Sequence, residues 1–286
     1  MISYTEIQTN GLRLHVAQAG PEGGPLIILL HGFPEYWGGW RKLYPALAEA
    51  GLRVWMPDQR GYNLSDKPAA MPDYNLDILI QDILGLIEAS GQERVIVLGH
   101  DWGGVVAWWL ANKHPEKVEK LIILNCPHHR VFAEESRTVW QQRLKIWYMF
   151  FFQIPRLPEF LLGLGNHAIL AALMRRSSRP GSFSEGDIAD YRGAWGQPGA
   201  IRAMLNWYRA MFQTKPARPD SWRIQVPTLI IWGKQDGVLR WQMAEASAKL
   251  CDSAEVVYID EATHWVASDA PAAVSEHILR FLGQAK

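Results

Sequence analysis

The strongest constraint on the fold is a succession of short, continuously apolar runs: "PLIILL", "RVWM", "RVIVL", "KLIIL", "PTLIIW" and "AEVVYI". None alternates apolar with polar residues, as a strand with one wet face would. Such runs suit strands buried on both faces of a parallel sheet. Between them the spacing predicts helices over roughly 37–50, 76–90, 102–113, 241–250 and 271–283, which supply the crossovers that parallel strands require. Ahead of the first run, "YTEIQTNGLRLHVAQAG" holds two alternating segments around Asn10-Gly11, a hairpin signal. The expected architecture is α/β, a hairpin leading into a mostly parallel, doubly wound sheet.

The alternation stops from about residue 130 to 218, where "TVWQQRLKIWYMFFF", "PEFLLGLGNHAILAALMRR" and "GAIRAMLNWYRAMFQ" read as helical and no strand is evident. An inserted helical cap, or lid, over 131–217 is expected, on a core of 1–130 and 218–286. It should lie over the C-terminal edge of the sheet, where open α/β folds keep their sites. At 286 residues the chain suffices for one domain with such an insertion. Lys plus Arg balance Asp plus Glu, so the overall charge gives no sign of a nucleic-acid or anionic-membrane partner. The N-terminus has no basic region followed by an apolar stretch. No apolar run approaches the ~20 residues of a membrane span, so a soluble cytoplasmic protein is expected. Cys126 and Cys251 fit no metal spacing and read as two buried thiols of a reducing compartment.

"GHDWGG", at 99–104, follows one strand and opens a helix. Gly99, Gly103 and Gly104 permit the sharp strand-to-helix turn that exposes a nucleophile, here Asp101. An Asp at such a place could merely cap the helix, so what stands at the other strand ends matters. "WGKQDGVL" puts Asp236 after "PTLIIW", and "EATHWV" puts His264 after "AEVVYI". Nucleophile, acid, base is the chain order of triads on this kind of sheet. His15, His114 and His277 read as packed or solvated residues.

A serine suits attack on a carbonyl, but on an sp³ carbon it would leave an ether that is hard to cleave. Asp101 would instead leave an alkyl ester, which water activated by His264 can hydrolyse at the aspartate's own carbonyl carbon. The substrate should therefore be an epoxide or an alkyl halide. Backbone donors for the second step are expected from Trp102, after the nucleophile, and Phe33, in "HGFP"; His31 should support that loop. An opening epoxide also needs an acid on the far side from the nucleophile. A phenol can fill that role while staying protonated near neutrality, and the insertion offers Tyr148 and Tyr208. A departing halide needs N–H donors instead, and the indole of Trp102 is the candidate.

"HGFPE", "DQRGYNLSDKP", "GHDWGG", "WGKQD" and "THW" together make the chain resemble the epoxide hydrolases of the α/β-hydrolase fold. The resemblance runs through nearly the whole chain and is clearest from residue 26 to about 128. It implies Asp101 as nucleophile, Asp236 and His264 as acid and base, Tyr148 and Tyr208 as cap tyrosines, and Phe33 and Trp102 as the oxyanion hole. It implies no metal and no organic cofactor, and marks "RGYNLSDKP", with Asp58 and Arg60, as loop-holding. Haloalkane dehalogenases are similar in fold, but one group has Asn where Phe33 stands. Fluoroacetate dehalogenases place Arg where Trp102 stands. Some relatives carry the triad acid after the sixth strand, where this chain reads "NCPH".

The chain carries 14 tryptophans, and its aromatic surplus near these motifs suggests an apolar pocket. Trp37, Phe151, Phe152 and Trp207 are its expected lining, with a small apolar aryl or alkyl epoxide and water as substrates. Haloalkane dehalogenase and a non-catalytic ligand-binding protein on the same fold are the alternatives. Monomer and homodimer are both compatible with the sequence.

Overall fold

The computed structural model describes residues 1–284. Its eight strands are β1 (Ser3–Thr9), β2 (Leu12–Ala19), β3 (Leu26–Leu30), β4 (Arg53–Pro57), β5 (Val95–His100), β6 (Val118–Leu124), β7 (Thr228–Gly233) and β8 (Ala254–Ile259). They form one sheet in the order β1-β2-β4-β3-β5-β6-β7-β8. β1 runs antiparallel to β2 and β2 to β4; the remaining pairs are parallel. The β1–β2 hairpin closes with Thr9 opposite Leu12. Asn10 and Gly11 take φ of 47° and 74° there, the paired positive angles of a two-residue turn that matches strand twist.

The continuous apolar runs are explained by cores on both faces. Leu26, Ile28 and Leu30 of β3 face one cluster, with Leu79 and Leu86 of helix α2 (Leu76–Ala89) and Trp108 of α3 (Trp102–Lys113). Ile27 and Leu29 face the other, with Leu47 of α1 (Tyr44–Glu49) and Ile278 of α12 (Pro271–Leu282). All five β3 side chains are buried, each contributing on the order of 1.5–3 kcal/mol. The short helices α10 (Met243–Ala248) and α11 (Val266–Asp269) complete the layers. Four strand ends fall on one edge of the sheet: Asp101 follows β5, Asn125 follows β6, and Asp236 and His264 lie beyond β7 and β8.

Between β6 and β7 run α4 (His129–Thr138), α5 (Trp140–Lys145), α6 (Trp147–Phe151), α7 (Leu157–Ser177), α8 (Glu185–Trp195) and α9 (Ala200–Gln213). The stretch expected as a single helix through "TVWQQRLKIWYMFFF" is divided at Val139 and Ile146. α8 was not anticipated from periodicity; its signal is the capping box formed by Ser184 and Asp187. The 21-residue α7 is long and apolar enough to cross a membrane, contrary to the expectation that no such segment exists. Its backbone is broken, however: Gly165, Asn166 and His167 are left-handed and Leu164 is extended. Neither half reaches the ~20 residues that a hydrocarbon core demands.

Candidate active site

The turn at Asp101 is built by close approach. Asp101 has φ 49° and ψ −121°, a backbone that few side chains adopt. A Cβ on Gly103 would sit 1.9 Å from the Leu30 carbonyl oxygen, so α3 can start this close to β3 only with glycine there. The result points the Asp101 carboxylate at the "HGFP" loop, where the Phe33 N–H donates to Oδ1 at 2.9 Å. His31 braces that loop: its Nδ1 bonds the Gly32 carbonyl at 3.0 Å, and its Nε2 accepts from the Gln59 N–H at 3.0 Å.

His264 stands between two carboxylates. Its Nδ1 lies 2.9 Å from Asp236 Oδ2, and its Nε2 lies 3.5 Å from Asp101 Oδ2. The N–H groups of Val238 and Leu239 donate to Asp236 Oδ1 at 2.7 and 2.8 Å, and the Asn125 amide donates to Oδ2 at 2.8 Å. Burial opposes the charge on Asp236, but His264 and these donors outweigh it and hold the carboxyl below its usual range. Asp101 is likewise held low against burial, by its hydrogen bond and attraction to His264. Burial disfavours imidazolium at His264, yet Asp236 and then Asp101 overcome it and raise the group to about 10. Imidazolium is thus the favoured form of His264 in the free protein, an ion triad of carboxylate, imidazolium and carboxylate.

A second carboxylate–imidazole pair, which the motifs alone did not assign, supports this one. Glu35, the last residue of "HGFPE", lies 2.9 Å from His100 Nδ1 and accepts from the Tyr191 hydroxyl at 3.1 Å. His100 Nε2 donates to the His264 carbonyl at 2.8 Å, so the backbone carrying His264 is tied to the motif that carries Asp101. Asp58 and Arg60 serve loops, as expected. Asp58 accepts from the Trp37 N–H and lies 2.8 Å from His15 Nδ1, while Arg60 forms a buried pair with Asp82.

A cavity of about 310 Å³ opens over Asp101, with Trp102, Tyr148 and Tyr208 in its wall. Tyr208 meets Phe33 and Trp102 edge-on at centroid distances of 5.2 and 5.1 Å, and its ring is 5.9 Å from Tyr148. Burial, reinforced by the charge of Asp101, pushes Tyr148 well above the usual phenol range. Burial and then the neighbouring Tyr148 do the same for Tyr208. Both phenols stay protonated. Of the two oxyanion donors expected, only the Phe33 N–H bonds Asp101; Trp102 contributes its side chain to the wall. No cluster of three or more His, Cys, Asp or Glu suited to a metal occurs among the described residues.

The expected lining is corrected. Trp37, Phe151, Phe152 and Trp207 do not border the cavity. Trp37 packs on Tyr4 and Tyr36. Phe152 lies behind the two tyrosines, 5.0 Å from Tyr208 and 5.5 Å from Tyr148, with Phe151 outside it. Trp207 is anchored by its indole N–H to the Arg60 carbonyl at 3.0 Å. The wall is made instead by Met149, Met211, Val238, Leu239, Phe132 and His129, among others. Met149 follows Tyr148, and Met211 lies three residues after Tyr208, one helical turn along the same face; that spacing was the available signal.

The profile of the family described as "alpha/beta hydrolase fold" matches residues 25–271. The chain belongs to the α/β-hydrolase-fold family. This α/β hydrolase is 46% identical over 276 residues to the AB hydrolase superfamily protein YfhM of Bacillus subtilis, covering 96% of each chain. It is 37% identical to human epoxide hydrolase 4, over 98% of this chain and 78% of that one. Among solved structures, an epoxide hydrolase from Bacillus megaterium in complex with an inhibitor superimposes with a TM-score of 0.88. The identity is 28%, over 98% of this chain and 100% of the other.

Proposed function

We infer that this α/β hydrolase is an epoxide hydrolase, adding water to a small apolar epoxide to give a vicinal diol. The observation that carries the reading is the opposition of two protonated phenols, Tyr148 and Tyr208, to the ionised Asp101 in one cavity. The names of the human relative and of the Bacillus megaterium structure point the same way, while that of the Bacillus subtilis protein is generic. Asp101 Oδ2, free of the Phe33 bond, attacks an oxirane carbon; the C–O bond breaks and a phenol protonates the departing oxygen. This leaves a covalent ester on Asp101 and a phenolate. Esterification removes one of the two charges that hold the proton on His264, so the imidazolium becomes a stronger acid and returns that proton towards the phenolate. Neutral His264, oriented by Asp236, then takes a proton from water as it attacks the Asp101 carbonyl carbon. The oxygen held by the Phe33 N–H carries the developing charge. Collapse releases diol and restores the carboxylate and imidazolium, with no metal or organic cofactor in any step.

Residues 131–217 act in this reading as a cap over the core of 1–130 and 218–286, delivering the two phenols. Cytoplasmic residence fits the free, buried thiols of Cys126 and Cys251. The test is a parallel assay of the purified protein with styrene oxide and chlorohexane, following diol and chloride. Diol without chloride is expected; chloride without diol would transfer the mechanism to halide displacement.

A further inference from the structure

Among the described residues, every exposed large apolar side chain except Met1, Tyr4 and Leu64 lies between Trp140 and Phe212. Monomeric proteins seldom gather such residues on one region without a use for them. Trp140, Leu144 and Trp147 follow one another at helical spacing along α5 and α6, with 60%, 63% and 64% of their surface exposed. Phe150 continues the line and packs its ring 5.5 Å from Phe212 of α9, joining the two segments into one face. The face is contiguous with the catalytic cavity. Tyr148 and Met149 line the cavity while their neighbours Trp147 and Phe150 point to solvent, and Met211, beside Phe212, is both exposed and part of the cavity wall.

The charge here departs from that of the whole chain. From Ser136 to Pro158 there is no Asp or Glu, while Arg137, Arg143, Lys145 and Arg156 are present. Lys145 is engaged with the Asp236 carbonyl. Arg137, Arg143 and Arg156 are exposed and form no ion pair among the described residues. Tryptophan and phenylalanine flanked by arginine are the composition of a surface that settles into the headgroup region of a bilayer. A second copy is disfavoured as occupant, because a two-fold contact would set this cationic segment against itself.

We propose that the face carrying Trp140, Leu144, Trp147, Phe150 and Phe212 docks peripherally on an anionic phospholipid surface, bringing the cavity mouth at Met211 to the lipid phase. Apolar substrates partition into that phase, so docking would let them enter without crossing bulk water. The docking can be read without turnover, so its failure and that of the epoxide reading are separable.

The test is co-sedimentation of the full chain with phosphatidylcholine vesicles, with and without phosphatidylglycerol, at low and high salt. Binding to the anionic vesicles, weakened by salt, is expected. Arg143→Gln and Arg156→Gln should each weaken it about fivefold, and Trp140→Ser with Leu144→Ser should abolish it. Far-UV circular dichroism and the urea-unfolding midpoint should stay unchanged in all of these variants, which shows that they fold without calling on turnover. No binding to anionic vesicles, or binding indifferent to the arginines, overturns the proposal. So does a dimer in lipid-free buffer that Trp140→Ser with Leu144→Ser disperses, since the face would then belong to a second copy.

Discussion

Replacing both cavity phenols, Tyr148→Phe with Tyr208→Phe, should suppress formation of the Asp101 ester while leaving the fold intact. The rings keep their packing: Tyr208 retains its edge contacts with Phe33, Trp102 and Phe152, and Tyr148 its contact with Phe152. Only the hydroxyls go. Stability should therefore change by no more than about 2 kcal/mol, the net worth of two ordinary hydrogen bonds. Catalysis should change far more, because the ring-opening oxygen becomes an alkoxide in a buried, apolar cavity. A hydrogen bond to a charged group is worth about 1.5–3 kcal/mol, so each single variant should lose roughly 10- to 150-fold in the opening rate. With no donor left, the double variant should lose on the order of 10³-fold or more. The assay is rapid-quench intact-mass analysis with styrene oxide, which counts ester on Asp101 directly and isolates the first step from hydrolysis. Ester formation by the double variant within about tenfold of the parent rate would refute the assignment of both phenols. If Tyr208→Phe alone matched the double variant, Tyr148 would be reduced to a wall residue.

His264→Gln should do the reverse, letting the ester form and then trapping it, visible as a stable mass increment that the parent protein shows only transiently. Asn125→Ala removes a donor from buried Asp236. It should destabilise by about 1–3 kcal/mol and lower kcat more than it raises KM, as denaturation and steady-state kinetics can establish. Gly103→Ala forces a methyl against the Leu30 carbonyl at 1.9 Å; a loss of about 3 kcal/mol in urea unfolding, the upper end for overpacking, is expected. The pH dependence of stability has a definite sign. His264 is raised in the folded state to about 10, so its contribution is fully present below its unfolded pKa of about 6.5 and fades as pH climbs through about 10. The stability difference between the parent and His264→Gln should thus shrink from about pH 6 to about pH 10; a constant difference would contradict the ion triad.

What the sequence disclosed, and what it hid, follows from which interactions are local. Strands such as "PLIILL" are legible because burial on both faces forces an uninterrupted apolar run, and Asn10-Gly11 because its backbone angles admit few other residues. Asp101, Asp236 and His264 could be placed because each follows such a strand, so finding the strands located them. The cavity wall was not legible. Trp207 and Phe152 lie within a ring's width of the site, but which way a large aromatic faces depends on partners distant in sequence, such as the Arg60 carbonyl that fixes Trp207. The break in α7 is a different case, since "GLGNH" carries Gly165 and Asn166, both tolerant of left-handed backbone. An apolar period on either side masked it. Net charge was the least informative quantity, because a sum of zero over the chain conceals a segment from Ser136 to Pro158 with four cations and no anion.

The end of β6 shows why a missing residue can matter as much as a present one. "NCPH" offers no carboxylate, which removes a rival for the acid's role but says nothing of what Asn125 does instead. In the folded chain Asn125 Nδ2 donates to Asp236 Oδ2, and its Oδ1 accepts from the Gly233 N–H at 3.1 Å. The amide therefore clamps the end of β7 to β6 and, from the same side chain, orients the carboxylate lying just beyond β7. A carboxylate at position 125 would accept from Gly233 equally well, but it would set a second negative charge beside Asp236 in a buried site. One of the two would then take up a proton rather than share the enclosure ionised. Asn125→Asp should accordingly keep a single charge against His264 and leave the pH at which the imidazolium titrates unchanged, as histidine NMR on the variant can measure. A rise in that pH would mean that both carboxylates are ionised together.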